Sequence, residues 1–92
     1  MSATKTLHID EIFSNPGKEY NITGPTTDAT VAVLRAPIGA GPDELCVEII
    51  EKPSRLFDVP RTLDQQLVER NPEDIARVES YLANKGFKVK FA

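Results

Sequence analysis

The sequence predicts a small α+β protein, a single domain over residues 1–92. Three to four mostly antiparallel strands carry two C-terminal helices packed on one face, and a C-terminal strand closes the sheet. Three observations carry that expectation. Residues 28–35 and 45–51 are runs rich in β-branched and aliphatic side chains, among them Thr30, Val31, Val33, Val47, Ile49 and Ile50. Asn71-Pro72-Glu73-Asp74 opens a stripe of Ile75, Val78 and Leu82 at helical spacing. Phe87, Val89 and Phe91 alternate with Lys88 and Lys90, the pattern of a half-buried strand.

Taken in order, residues 1–5 read as a loose N-terminus. Residues 6–13 carry two patterns at once: Leu7 and Ile9 alternate as a strand would, while Ile9, Ile12 and Phe13 are spaced as on a helix. A short helical turn is favoured, stopped by Ser14-Asn15-Pro16-Gly17. Residues 19–23 form a brief strand that ends at Gly24-Pro25. The 28–35 strand is apolar on most of both faces and belongs in the middle of a sheet. The 45–51 strand has Leu45, Val47 and Ile49 on one face, and Cys46, Glu48 and Ile50 on the other.

Residues 36–43 make a long, flexible connection rich in glycine and proline, longer than the 2–5 residues usual for a hairpin. Lys52-Pro53-Ser54-Arg55 breaks the following strand, and proline keeps residues 56–60 extended. Thr62 with Gln65 fits a capping box, and Leu63, Leu67 and Val68 mark the buried side of a helix through residue 70. Asn71 then caps a second helix, with Pro72 at its first position and acidic side chains where the helix dipole favours them. Lys85 and Gly86 end it, Gly86 supplying a left-handed residue. The 87–91 strand buries its aromatic residues, each worth roughly 1.5–3 kcal/mol. Pairing it with the 45–51 strand sets Lys88 and Lys90 near Glu48 and Glu51.

Composition excludes several functions. With 40% apolar and 27% charged residues, the chain is ordinary globular material rather than disordered. No run of about 18 apolar residues occurs, so no membrane span is expected. Residues 1–5 lack the apolar core of a signal peptide, and the one cysteine forms no internal disulfide, so a cytoplasmic, reducing setting is the default expectation. The net charge of −3 divides into −5 over residues 1–51 (three basic, eight acidic) and +2 over residues 52–92 (eight basic, six acidic). That balance disfavours nucleic acid as a partner, though a regulator using basic segments 52–61 and 85–90 is the alternative reading.

No stretch carries a diagnostic chemical motif. His8 is the only histidine, and a metal site would need a second imidazole or thiolate at a defined spacing. A small enzyme built on His8 would need that residue in a concave pocket. Cys46 sits in an apolar strand with no basic neighbour, which describes an inert buried thiol. Gly39-Ala40-Gly41 is no phosphate loop, since no lysine with serine or threonine follows. No catalytic residue, metal, cofactor or small-molecule substrate is assigned.

The remaining expectation is a protein-binding protein: an inhibitor, adaptor or complex subunit, whose partner is another protein or a second copy of itself. Pro37, Ile38, Gly39, Ala40 and Gly41 are the candidate binding loop, because an apolar side chain there has no core to fill. Arg55 and Phe57, from the basic connector in which Lys52, Arg55 and Arg61 surround Phe57, join them. The edge strand that any small open sheet leaves is the third support.

Overall fold

β4 (Glu44–Glu51) sits between two neighbours, and the sheet is arranged around it. The computed structural model describes residues 4–24, 30–39, 43–52 and 59–92. The remaining elements are β1 (Lys5–Leu7), α1 (Ile9–Ser14), β2 (Tyr20–Thr23), β3 (Thr30–Arg35), β5 (Arg61–Glu69), α2 (Pro72–Asn84) and β6 (Val89–Phe91). An antiparallel sheet runs in the order β2-β3-β4-β5, and β1 with β6 forms a separate parallel pair. The fold is thus a small α+β domain with four antiparallel strands and one C-terminal helix.

Register sorts the side chains between two faces. Ile22, Ala32 and Ile49 lie in one cross-strand row, and Tyr20, Leu34, Val47 and Gln66 in another. These rows form the inner face. Against it pack Ile12 of α1, Val78 and Leu82 of α2, and Leu7, Phe87 and Val89 from the parallel pair and its approach. Ala32, Leu34, Leu45 and Leu82 have no solvent exposure. The strand reading of residues 87–91 therefore holds in its burial: Phe87 and Val89 are buried and Phe91 is half-buried.

The pairing expected for β6 does not form. Both edges of β4 are already hydrogen-bonded, to β3 and to β5, so no rung remains for a third strand. β6 instead joins β1, Lys5 opposite Val89 and Leu7 opposite Phe91. Lys88 and Lys90 accordingly do not sit across from Glu48 and Glu51. Residues 6–13 use both of their patterns, closing β1 and then turning into α1. Lys5, placed by sequence in a loose terminus, opens β1.

The helix expected over residues 62–70 is a strand instead. Leu63 and Leu67 are four apart, a spacing that satisfies one helix face and one strand face equally. Pairing with β4 along the whole strand decides between them, with a bulge where Asp64 faces Ile49 and Thr62 faces Ile50. The capping box does not form: the Gln65 backbone N–H instead donates to the Asp64 carboxylate at 2.9 Å. Only α2 remains as a C-terminal helix, so the corner at residues 70–72 joins strand to helix.

α2 begins and ends as its sequence dictates. The Asp74 backbone N–H donates to the Asn71 side chain at 2.8 Å, with Pro72 next in the first turn. At the far end the Gly86 N–H donates to the Ala83 carbonyl at 3.0 Å and the Phe87 N–H to the Leu82 carbonyl at 2.8 Å. This double closure needs a left-handed residue, which Gly86 provides with φ of +93°. It also lowers Phe87 directly onto Leu82 in the core. Gly86→Val should therefore cost more than about 1 kcal/mol in chemical denaturation, since a β-branched residue resists that φ. An unchanged midpoint would show that the turn does not depend on it.

Candidate functional site

The outer face of the sheet has no helix packed on it among the described residues, and it is not polar throughout. Its rows are Arg35, Cys46 and Leu67; Asn21, Val33, Glu48 and Gln65; and Thr23, Val31, Ile50 and Thr62. Asn21, Thr23, Val31, Val33 and Ile50 line a shallow groove of about 320 Å³ with Pro60 at its rim. Beside the groove, one carboxylate ties three strands together. Glu48 Oε1 accepts from Arg35 Nη2 at 2.9 Å and from Gln65 Nε2 at 3.0 Å, with Cys46 Sγ at 3.6 Å. The hydrogen bond to Glu48 raises the pKa of Arg35, keeping its guanidinium charged. Cys46 is buried beneath this cluster, as its apolar surroundings in sequence implied.

β5 is the outermost strand on that side, and its exposure alternates regularly from Leu63 to Glu69. Leu63 is 45% exposed and Leu67 59%, two large apolar side chains on one strand whose outer edge pairs with no other strand among the described residues. A sheet edge presents unpaired N–H and C=O groups that another strand can complete. Asp64, Gln66 and Val68 alternate with them and are half-buried toward the inner face. The leucines were assigned by sequence to the buried side of a helix, so their exposure could not be read from the pattern. The available signal was Leu-x-Gln-x-Leu, in which alternate positions are not uniformly apolar.

α2 holds this edge from behind. The Tyr81 hydroxyl donates to the Asp64 carboxylate, and the Lys85 ammonium lies 5.8 Å from the centre of the Tyr81 ring. Burial, then the bond to Asp64, pushes the Tyr81 phenol up to about 12. The same hydrogen bond, helped by the Gln65 backbone N–H, holds the Asp64 carboxyl below its ordinary range. At the end of β5, the Arg70 N–H donates to the Asp43 carbonyl at 2.6 Å. The Arg70 side chain pairs with Asp10 and lies 4.8 Å over the Phe13 ring, fixing the corner to α1.

The residues singled out by sequence fall in several places. Ile38 is 80% exposed at the loop tip, beside a half-buried Pro37. Gly39 follows with φ of +83° and open space around it. One flank of Ile38 lies over Gly17, where an added Cβ would come within 2.6 Å of Ile38 Cδ1. The Gly17 N–H also donates to the Ala36 carbonyl at 2.7 Å, so this loop and the 15–18 turn support each other. Ala40, Gly41, Arg55 and Phe57 lie outside the described residues. His8 is exposed at the cap of α1 and makes no capping hydrogen bond. Of the basic segments, Lys52, Arg61, Lys88 and Lys90 are exposed, and Arg61 faces Glu51 at 3.5 Å.

Among the described residues, no three histidine, cysteine or acidic side chains group as a metal site would require. No helix among them is long and apolar enough to cross a membrane. No family model matches the chain, nor does any curated protein or solved structure compared with it.

The Tyr81–Asp64 bond gives the fold a measurable pH signature. A phenol whose pKa rises from 10.0 to about 12 on folding stabilises the native state fully below the lower value. That contribution is lost as pH climbs through the higher one. The depressed Asp64 carboxyl acts oppositely: its contribution is present above its ordinary value of 3.8 and lost as pH falls below it. Tyr81→Phe should flatten the alkaline fall of the melting temperature between pH 10 and 12 while leaving the fold intact. Parallel curves for the two proteins would show that the phenol stays in water.

Proposed function

We propose that this protein works by binding other polypeptides, as an inhibitor, adaptor or complex subunit, and that β5 is its recognition element. The observation that carries the proposal is a nine-residue edge strand that leaves Leu63 and Leu67 largely in solvent. An extended segment added to such an edge gains main-chain hydrogen bonds from the strand and specificity from its alternate side chains. The Glu48 cluster keeps β5 in register, and the Tyr81 hydroxyl braces it from the inner side, so the edge is rigid before anything binds. Ile38 contributes a second apolar contact on the loop that joins β3 to β4. The reading assigns the protein no catalytic step.

The test is capture from extracts of the native host on immobilised wild type and on Leu67→Lys. Leu67 is exposed, so the substitution should leave circular dichroism and melting temperature unchanged while most retained polypeptides are lost. Equal retention by the two proteins would place recognition elsewhere. A strictly monomeric wild type that retains nothing would end the proposal.

A further inference from the structure

Between the start of β5 and the end of α2, the inner face opens into a cleft of about 280 Å³ lined by Thr30, Ile49, Leu63, Asp64, Lys85 and Phe87. We propose that this cleft binds a free α-amino acid with an apolar side chain. Its ammonium would sit on Asp64, its carboxylate on Lys85 and its side chain against Leu63 and Phe87. The site lies behind the β5 edge and does not depend on what pairs with that edge.

The β-bulge makes the cleft. On a regular strand, neighbouring residues point to opposite faces, so Leu63 and Asp64 would not both line one cavity on the inner side. Here Thr62 is opposite Ile50 and Asp64 opposite Ile49, which leaves Leu63 as the extra residue. Leu63 and Asp64 consequently share the cleft with Ile49, a carboxylate beside an apolar side chain that stays 45% exposed. Phe87, brought down by the turn at Gly86, adds a second apolar surface.

The charges on the two walls have no ionic partners. Asp64 is fixed by hydrogen bonds from the Tyr81 hydroxyl and from the Gln65 backbone N–H, one on each carboxylate oxygen. Each oxygen keeps a further lone pair for an ammonium. The Tyr81 bond first, then the Gln65 bond, hold this carboxyl below its ordinary range, so it is charged at neutral pH. Lys85 lies beside the Tyr81 ring, and among the described residues neither Asp64 nor Lys85 has a salt bridge. The next row of the inner face differs, because Arg61 there pairs with Glu51 at 3.5 Å. A simple cation in the cleft meets attraction from Asp64 and repulsion from Lys85, and a simple anion meets the reverse. A dipolar molecule is attracted by both walls. The cleft is slightly smaller than the roughly 300–1,000 Å³ of sites for drug-sized ligands, which suits a single amino acid.

Amide NMR titration of the isotope-labelled chain with L-leucine tests this. Signals of Leu63, Asp64, Lys85 and Phe87 should shift and saturate, with Kd on the order of 1 mM. L-Leucinamide lacks the carboxylate and N-acetyl-L-leucine lacks the ammonium, and each should bind about tenfold more weakly. D64N keeps an acceptor for the Tyr81 hydroxyl and should bind L-leucine and N-acetyl-L-leucine alike. K85M should bind L-leucine and L-leucinamide alike. Each comparison is made within one protein, so a change in overall stability does not produce it, and if a variant does not fold the three compounds on wild type still decide. Absence of a saturable shift, shifts confined to residues outside the cleft, equal wild-type affinity for the three compounds, or wild-type preferences retained by the folded variants overturns the inference.

Discussion

β4 has no free edge, and most of the architecture follows from that. All of its residues pair with β5 and those from Cys46 to Glu51 also with β3, and the inward side chains Leu45, Val47 and Ile49 are buried in the core. A strand saturated on both sides leaves no place beside it for a further strand. β5 becomes an edge despite carrying two leucines, and β6 must find its hydrogen bonds with β1. The Glu48 carboxylate sits at the middle of this arrangement. By accepting from Arg35 and Gln65 it links β3, β4 and β5 on one face, and a one-residue slip of β5 would remove Gln65 from its reach.

The two faces of the sheet carry different duties. The inner face is closed by α1, α2 and the parallel pair, and its side chains are almost wholly aliphatic. The outer face mixes Val31, Val33 and Ile50 with Glu48, Arg35 and Gln65. The molecule's one histidine is exposed, its thiol is buried, and its most perturbed groups, Tyr81 and Asp64, serve to hold a helix to a strand.

Much of the fold was legible because short-range chemistry decided it. Asn71, Pro72 and Gly86 specify the ends of α2 through local hydrogen bonds and backbone preference, and no distant contact is needed to read them. β3 and β4 were legible through their β-branched composition. Residues 62–70 were misread because leucines four apart fit both periodicities, and the arbiter was the vacant edge of β4, a contact made some twenty positions away. The partner of β6 was hidden for the same reason: strand pairing depends on which edges are occupied. The candidate site inherited that limit. Ile38 was identifiable as an apolar residue in a loop, whereas Leu63 and Leu67 became candidates only when their helix became an edge.

The β1–β6 pair also bears on how the molecule is made. Its hydrogen bonds join residues far apart in the chain, Lys5 to Lys88 and Leu7 to Ala92, so they close a long loop. Contacts of such long separation form late and slow the search for the native state. During synthesis, the β2–β3 and β3–β4 hairpins can zip before β6 has been made. The places of Phe87 and Val89 in the core stay empty until then. The nascent domain thus passes through an interval in which its sheet is formed but its inner face is unsealed, and completion waits on β6.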